Sequence, residues 1–99
     1  MPEVRARATK LLAHGGGVEA AERLGREAVA FAAASDFLDA HGDALVDLAE
    51  VLRLAGRPQE AASPLRHALR LYEQKGNVAS ASKARALLGA ASAAAAPAS

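Results

Sequence analysis

Between Leu48 and Asn77 the chain reads LAEVLRLAGRPQEAASPLRHALRLYEQKGN, and no other stretch constrains the fold as tightly. Leucines and alanines recur at helical spacing on both sides of Gly56-Arg57-Pro58, and Gly76-Asn77 closes the second run. Glycine readily takes the left-handed conformation that ends a helix. Proline suits the first turn of the next helix, where its missing N–H costs no bond. The stretch therefore predicts two antiparallel helices joined by a short turn. Such a pair has more apolar surface than it can cover alone, so it calls for neighbours.

Sliding the chain by about 40 residues supplies them, a period in the range of helical solenoids. Gly16 meets Gly56, Leu12 meets Leu52, Ala21 meets Ala61 and Ala28 meets Ala68. Downstream, Leu48-Ala49 meets Leu88-Gly89, and the stop at Lys75-Gly76 lies in phase with Ser35-Asp36. About five helices are predicted, at 2–14, 18–34, 37–55, 58–75 and 78–91, as a helical repeat domain over 1–91 with a flexible alanine, serine and proline tail at 92–99. Ala21, Leu24, Gly25, Ala28, Val29 and Ala32 form the apolar face of the second. Leu38, Leu45, Leu48, Ala49, Leu52 and Ala55 form that of the third. Ser35 or Asp36 is positioned to cap the third helix, Asp39 to favour its first turn and Asn77 to cap the fifth. Pro64 removes a bond inside the fourth. The shared face of Ala61, Leu65 and Ala68 favours one bent helix there over two short ones. Small residues mark the crossing points: Ala49 and Ala61 within the central pair, Ala68 against the helix that follows.

Composition removes several functions. Acids and bases interleave to a net charge of +1, and the aromatics are only Phe31, Phe37 and Tyr72, so nucleic-acid binding is disfavoured. Cysteine is absent, which excludes disulfides and thiolate metal sites and fits a cytoplasmic location. MPEVRARATK has no apolar signal core, and no run reaches the ~20 apolar residues of a membrane span. His14, His41 and His67 have no metal-ligand spacing. His14-Gly15-Gly16-Gly17 resembles an esterase oxyanion string but lacks the sheet and serine elbow that would give it meaning. Asp36, Asp39, Asp43, Asp47 and Glu50 recur at helical spacing and read as a solvent face rather than as acid–base catalysts. No catalytic residue, metal or cofactor is expected.

The central unit resembles a tetratricopeptide repeat. Leu45, Leu48-Ala49 and Leu52 match that family's large, large–small and large positions on the first helix. Ala61, Leu65 and Ala68 match small, large and small on the second, with Gly56 in the turn. The complete repeat spans about 38–76; Arg5 and Arg85 occupy large positions of the flanking copies. The resemblance implies an all-α, antiparallel helix-turn-helix solenoid whose first helices line a concave binding face. Carried over by position, that face holds Asp43, Val46, Glu50, Arg53 and Leu54 centrally, Glu3, Ala6 and Lys10 upstream, and Lys83, Ala86 and Ala90 downstream. It implies a non-enzymatic protein-interaction module whose groove is mixed in charge, with a central acidic part, and suits a protein segment, peptide or helix with basic and apolar groups. The wording SDFLDAHGDALVDLAEVLRLAGRPQEA is also similar to the repeat tails of large bacterial cyclase- and ATPase-containing signalling regulators, which implies a piece of, or companion to, such a regulator. The alternative is self-association: Val78, Ala81, Leu87 and Leu88 lack a following helix, and an uncovered solenoid end predicts a homodimer.

Overall fold

A computed structural model describes residues 17–95. Among the described residues four helices follow one another: α1 Val18–Ala33, α2 Leu38–Leu54, α3 Pro58–Lys75 and α4 Val78–Ala95. No strand occurs among the described residues. The expected helix at 2–14, with Glu3, Ala6 and Lys10, lies outside the described residues.

Local chemistry explains the boundaries. At Gly56 (φ +79°) and Gly76 (φ +81°) the backbone turns left-handed. Gly56 N–H donates to the Arg53 carbonyl and Arg57 N–H to that of Leu52. Gly76 and Asn77 repeat the device on Glu73 and Tyr72. Each pair satisfies carbonyls that a helix end leaves open. Pro58 opens α3, and α3 runs unbroken through Pro64, so the one-helix reading holds over the split one. The end of α1 has no glycine, and here the capping expectation needs correcting. Phe37, not Ser35 or Asp36, precedes the first turn of α2, with no side-chain cap. The Ser35 hydroxyl instead donates to the Ala32 carbonyl at 2.7 Å and accepts from Phe37 N–H at 3.3 Å. It is occupied in closing α1. At its C-terminal end α4 continues to Ala95, beyond the expected stop at Ala91, as the strong helix preference of an alanine run allows.

Asn77 does two jobs. Its Oδ1 accepts from Ser80 N–H at 3.1 Å, capping α4, and its Nδ2 donates to Asp39 Oδ1 at 3.2 Å. One side chain thus ties the start of α4 to the start of α2. Asn77→Ala should lower stability by about 0.5–2 kcal/mol, the usual cost of losing a cap. Urea denaturation checks this; an unchanged midpoint would mean that neither bond contributes to stability.

The extensive helix contacts all join sequence neighbours: α1 with α2, α2 with α3, α3 with α4. The extents, 37 × 36 × 17 Å, describe a slab about two helices thick, given axes some 8–10 Å apart. Two clusters form the core. Leu45, Ala68, Leu71, Tyr72, Ala81 and Ala84 make one; Leu48, Ala49, Leu52, Ala61, Leu65 and Ala91 make the other. Ala49 and Ala61 share a cluster, and Ala68 joins Ala81 and Ala84 of α4, as their small size requires. The expected faces are buried at Ala21, Gly25, Ala28 and Ala32 of α1 and at Leu45, Leu48, Ala49 and Leu52 of α2. The uncovered end of α4 needs correcting. Ala81 is buried, and Leu87 and Leu88 are half-buried against the second cluster; only Val78 of that set stays open, at 78% exposure.

Arg57, in the turn between α2 and α3, clamps α1 onto the pair. Its guanidinium donates to Glu22 of α1 and to both carboxylate oxygens of Glu60, at 2.5 and 2.7 Å. Hydrogen bonding to Arg57, first of all, holds both carboxyls below their ordinary value of 4.5. A lowered folded pKa gives stability that is full above the ordinary value and is lost as pH falls through the folded one. Arg57→Gln should therefore lower the melting temperature at pH 7 and much less in acid below that range. A deficit that persists undiminished at low pH would show that the ion pairs are not its source.

Candidate functional site: a groove between α2 and α4

Because α2 and α4 both lean on α3 and make no extensive contact with each other, a groove opens between them. Val46, Ala49, Glu50 and Arg53 of α2 form one wall, Leu87, Ala90 and Ala91 of α4 the other, and Ala61 and Leu65 of α3 the floor. The alanines create the space: any larger side chain at Ala49, Ala61 or Ala91 would fill it. The enclosed volume is about 40 Å³, far below the ~300–1,000 Å³ of small-molecule sites. It can accept a side-chain branch, not a whole ligand.

Of the residues expected on the binding face, Val46, Glu50, Arg53 and Ala90 come together here. Leu54 does not; it is 45% exposed and outside the groove. Lys83 and Ala86 are exposed on α4 and do not line it. The charges at the centre are paired. Arg53 Nη2 and Nε donate to the two oxygens of Glu50 at 2.7 and 3.1 Å, and this bond raises the guanidinium pKa further. The groove centre carries a matched ion pair over apolar walls, not a bare acid.

Acidity lies nearer the start of α2. Asp39, Asp43, Val46, Glu50 and Arg53 follow at helical spacing, so the two aspartates continue the wall by one to two turns. Asp43 Oδ1 accepts from the Tyr72 hydroxyl at 2.5 Å, and Asp39 Oδ1 accepts from Asn77. Burial above all, then the bond to Asp43 and the charges of Asp43, Asp39 and Asp47, push the Tyr72 phenol far above its ordinary value. It stays a donor. Gly42 makes room for the ring: a Cβ there would lie 2.7 Å from Tyr72 Cε1. The Gly42–Tyr72–Asp43 arrangement is not anticipated by the sequence pattern. A glycine inside a helix, costing about 1 kcal/mol against alanine, is the one signal that points to it.

Elsewhere the geometry offers little chemistry. His41 and His67 meet edge to face with ring centres 4.9 Å apart. Burial first, then His41 and Arg70, hold His67 below its ordinary pKa. Among the described residues no three histidine or carboxylate side chains converge as metal ligands. The broad depression along Glu19, Glu22, Arg23, Arg26 and Glu27 is an open charged surface, within which Glu22 and Arg26 pair at 2.9 Å. No helix is long and apolar enough to cross a membrane among the described residues. No family model, curated protein or solved structure matches the chain.

Proposed function

We propose that the chain is a non-enzymatic protein-interaction module of tetratricopeptide type, in which a segment of a partner protein docks between α2 and α4. The groove carries this reading. It is small and apolar, and it unites residues from helices about 40 positions apart, as a repeat with that period requires. Its small volume suits side-chain anchors of a protein segment rather than a metabolite. On the sequence resemblance, the partner belongs to, or the module forms part of, a bacterial signalling regulator working in the cytoplasm.

A photo-crosslinking amino acid at Ala90 tests the proposal. Expressed in cells, the protein should crosslink to a discrete partner from this position and not from Gln59, which is exposed outside the groove. Equal labelling from both positions, or none from Ala90, would contradict it. Self-association is the second reading, favoured by Val78 and by Phe31 and Phe37, each 73% exposed. Sedimentation at high micromolar concentration decides it: a monodisperse monomer rules out the homodimer.

A further inference from the structure

The ion pairs of this protein divide its carboxylates into two kinds. Glu22, Glu50, Glu60 and Glu73 each face an arginine. Among the described residues Asp39 and Asp43 face none. Their hydrogen-bond donors are neutral, the amide of Asn77 and the hydroxyl of Tyr72. Neutral donors orient a carboxylate without bringing a compensating charge, so these two side chains are held in place with no cation beside them among the described residues. Lys83, on the facing helix, pairs with neither among the described residues. The wall of α2 therefore changes character along its length. It is anionic at Asp39 and Asp43, then apolar and charge-balanced from Val46 to Arg53.

We infer that the groove reads its partner with a polarity: a lysine or arginine of the docking segment sits against Asp39 and Asp43, and an aliphatic side chain enters between Leu65 and Leu87. This rests on the proposed docking function and adds the chemistry and orientation of the occupant. Asp43 and Glu50 are separated by about 10 Å along the axis at 1.5 Å per residue. An extended partner spans that distance in about three residues at ~3.3 Å each, a helical one in about seven. The occupant thus carries a basic residue and an aliphatic one at either an i,i+3 or an i,i+7 spacing. The oriented carboxylates would speed encounter and select against acidic segments, while the aliphatic anchor would set the lifetime of the complex.

The test is selection of a random 12-residue peptide library on phage against the whole chain, followed by fluorescence anisotropy of the enriched peptides. The expected peptides pair Lys or Arg with Leu, Ile, Val or Met at one of the two spacings. Their affinity should fall as salt is added. Asp39→Asn together with Asp43→Asn should weaken binding on the order of tenfold and flatten the salt dependence. Leu87→Ala should weaken it by a similar factor with the salt dependence intact. Glu27→Gln, on α1, should change neither. Peptides that lose affinity with Leu87→Ala but carry no basic residue, or bind equally at all salt concentrations, would overturn the polarity and leave the docking function standing. Failure to enrich any peptide, or enrichment of peptides indifferent to Leu87→Ala, would overturn both. If the double variant fails to fold, the salt series on the unmodified chain still decides whether the partner's charge matters.

Discussion

Replacing Leu52 by alanine should cost about 2–5 kcal/mol, the range for truncating a buried leucine whose surroundings cannot close over the space. Leu52 is 1% exposed and sits among Leu48, Ala49, Ala61, Leu65 and Ala91. Three of those neighbours are alanines, with no side chain long enough to swing into the vacated volume. The loss is large against the ~5–15 kcal/mol that holds a typical domain together. At about 4–8 °C per kcal/mol for a domain of 60–100 residues, the melting temperature should fall by about 8–40 °C. Leu54→Ala, two residues away on the exposed side, should stay within about 0.5 kcal/mol. Chemical denaturation of the two variants side by side checks the register of α2. Equal effects would mean that α2 is rotated from the orientation described.

Gly42→Ala should destabilise by about 1–3 kcal/mol, although alanine is the better helix former by about 1 kcal/mol. The two effects compete, and the contact decides which wins. A methyl at this position would lie 2.7 Å from Tyr72 Cε1 and 2.9 Å from Cζ. A flexible exposed side chain would move aside at little cost. Tyr72 is 3% exposed and its hydroxyl is bound to Asp43, so moving the ring breaks packing and a hydrogen bond together. Tyr72→Leu in the Gly42→Ala background should recover part of the loss, because sites in contact are not additive. A Gly42→Ala protein more stable than the parent would show that the ring does not lie over Gly42.

The two predictions differ in how far the sequence foreshadows them. Leu52 belongs to a run at helical spacing, and the ends of α3 at Pro58 and Lys75 follow from the proline and glycine beside them. Those features are local, and local chemistry decides them. The Gly42–Tyr72 contact joins residues on different helices, and only the packing register brings them together. Covering α4 is a problem of the same kind. Periodicity marks Ala81, Leu87 and Leu88 as one apolar face but does not say that α3 and its neighbours already cover much of it. The groove is partly legible for a mixed reason. The family resemblance, carried over by position, points to Val46, Glu50 and Arg53 on α2 and to Ala90 on α4. Its floor, Ala61 and Leu65, carries the pattern of core residues and gives no sign of lining an opening. The pairing of Glu50 with Arg53 stands in the sequence at i,i+3, and counting acids along the helix without their cations hides it.

The groove exists only if the helices form an open sequential array in which α4 reaches α2 across α3. Methyl nuclear Overhauser spectroscopy on the leucine- and valine-labelled chain tests that arrangement most directly. Contacts of Leu87 with Leu65 and of Val46 with Leu65, with none between Leu24 of α1 and Leu87 of α4, are the predicted result. Cross-peaks between Leu24 and Leu87 would place α1 against α4, closing the helices into a bundle with no groove to bind anything.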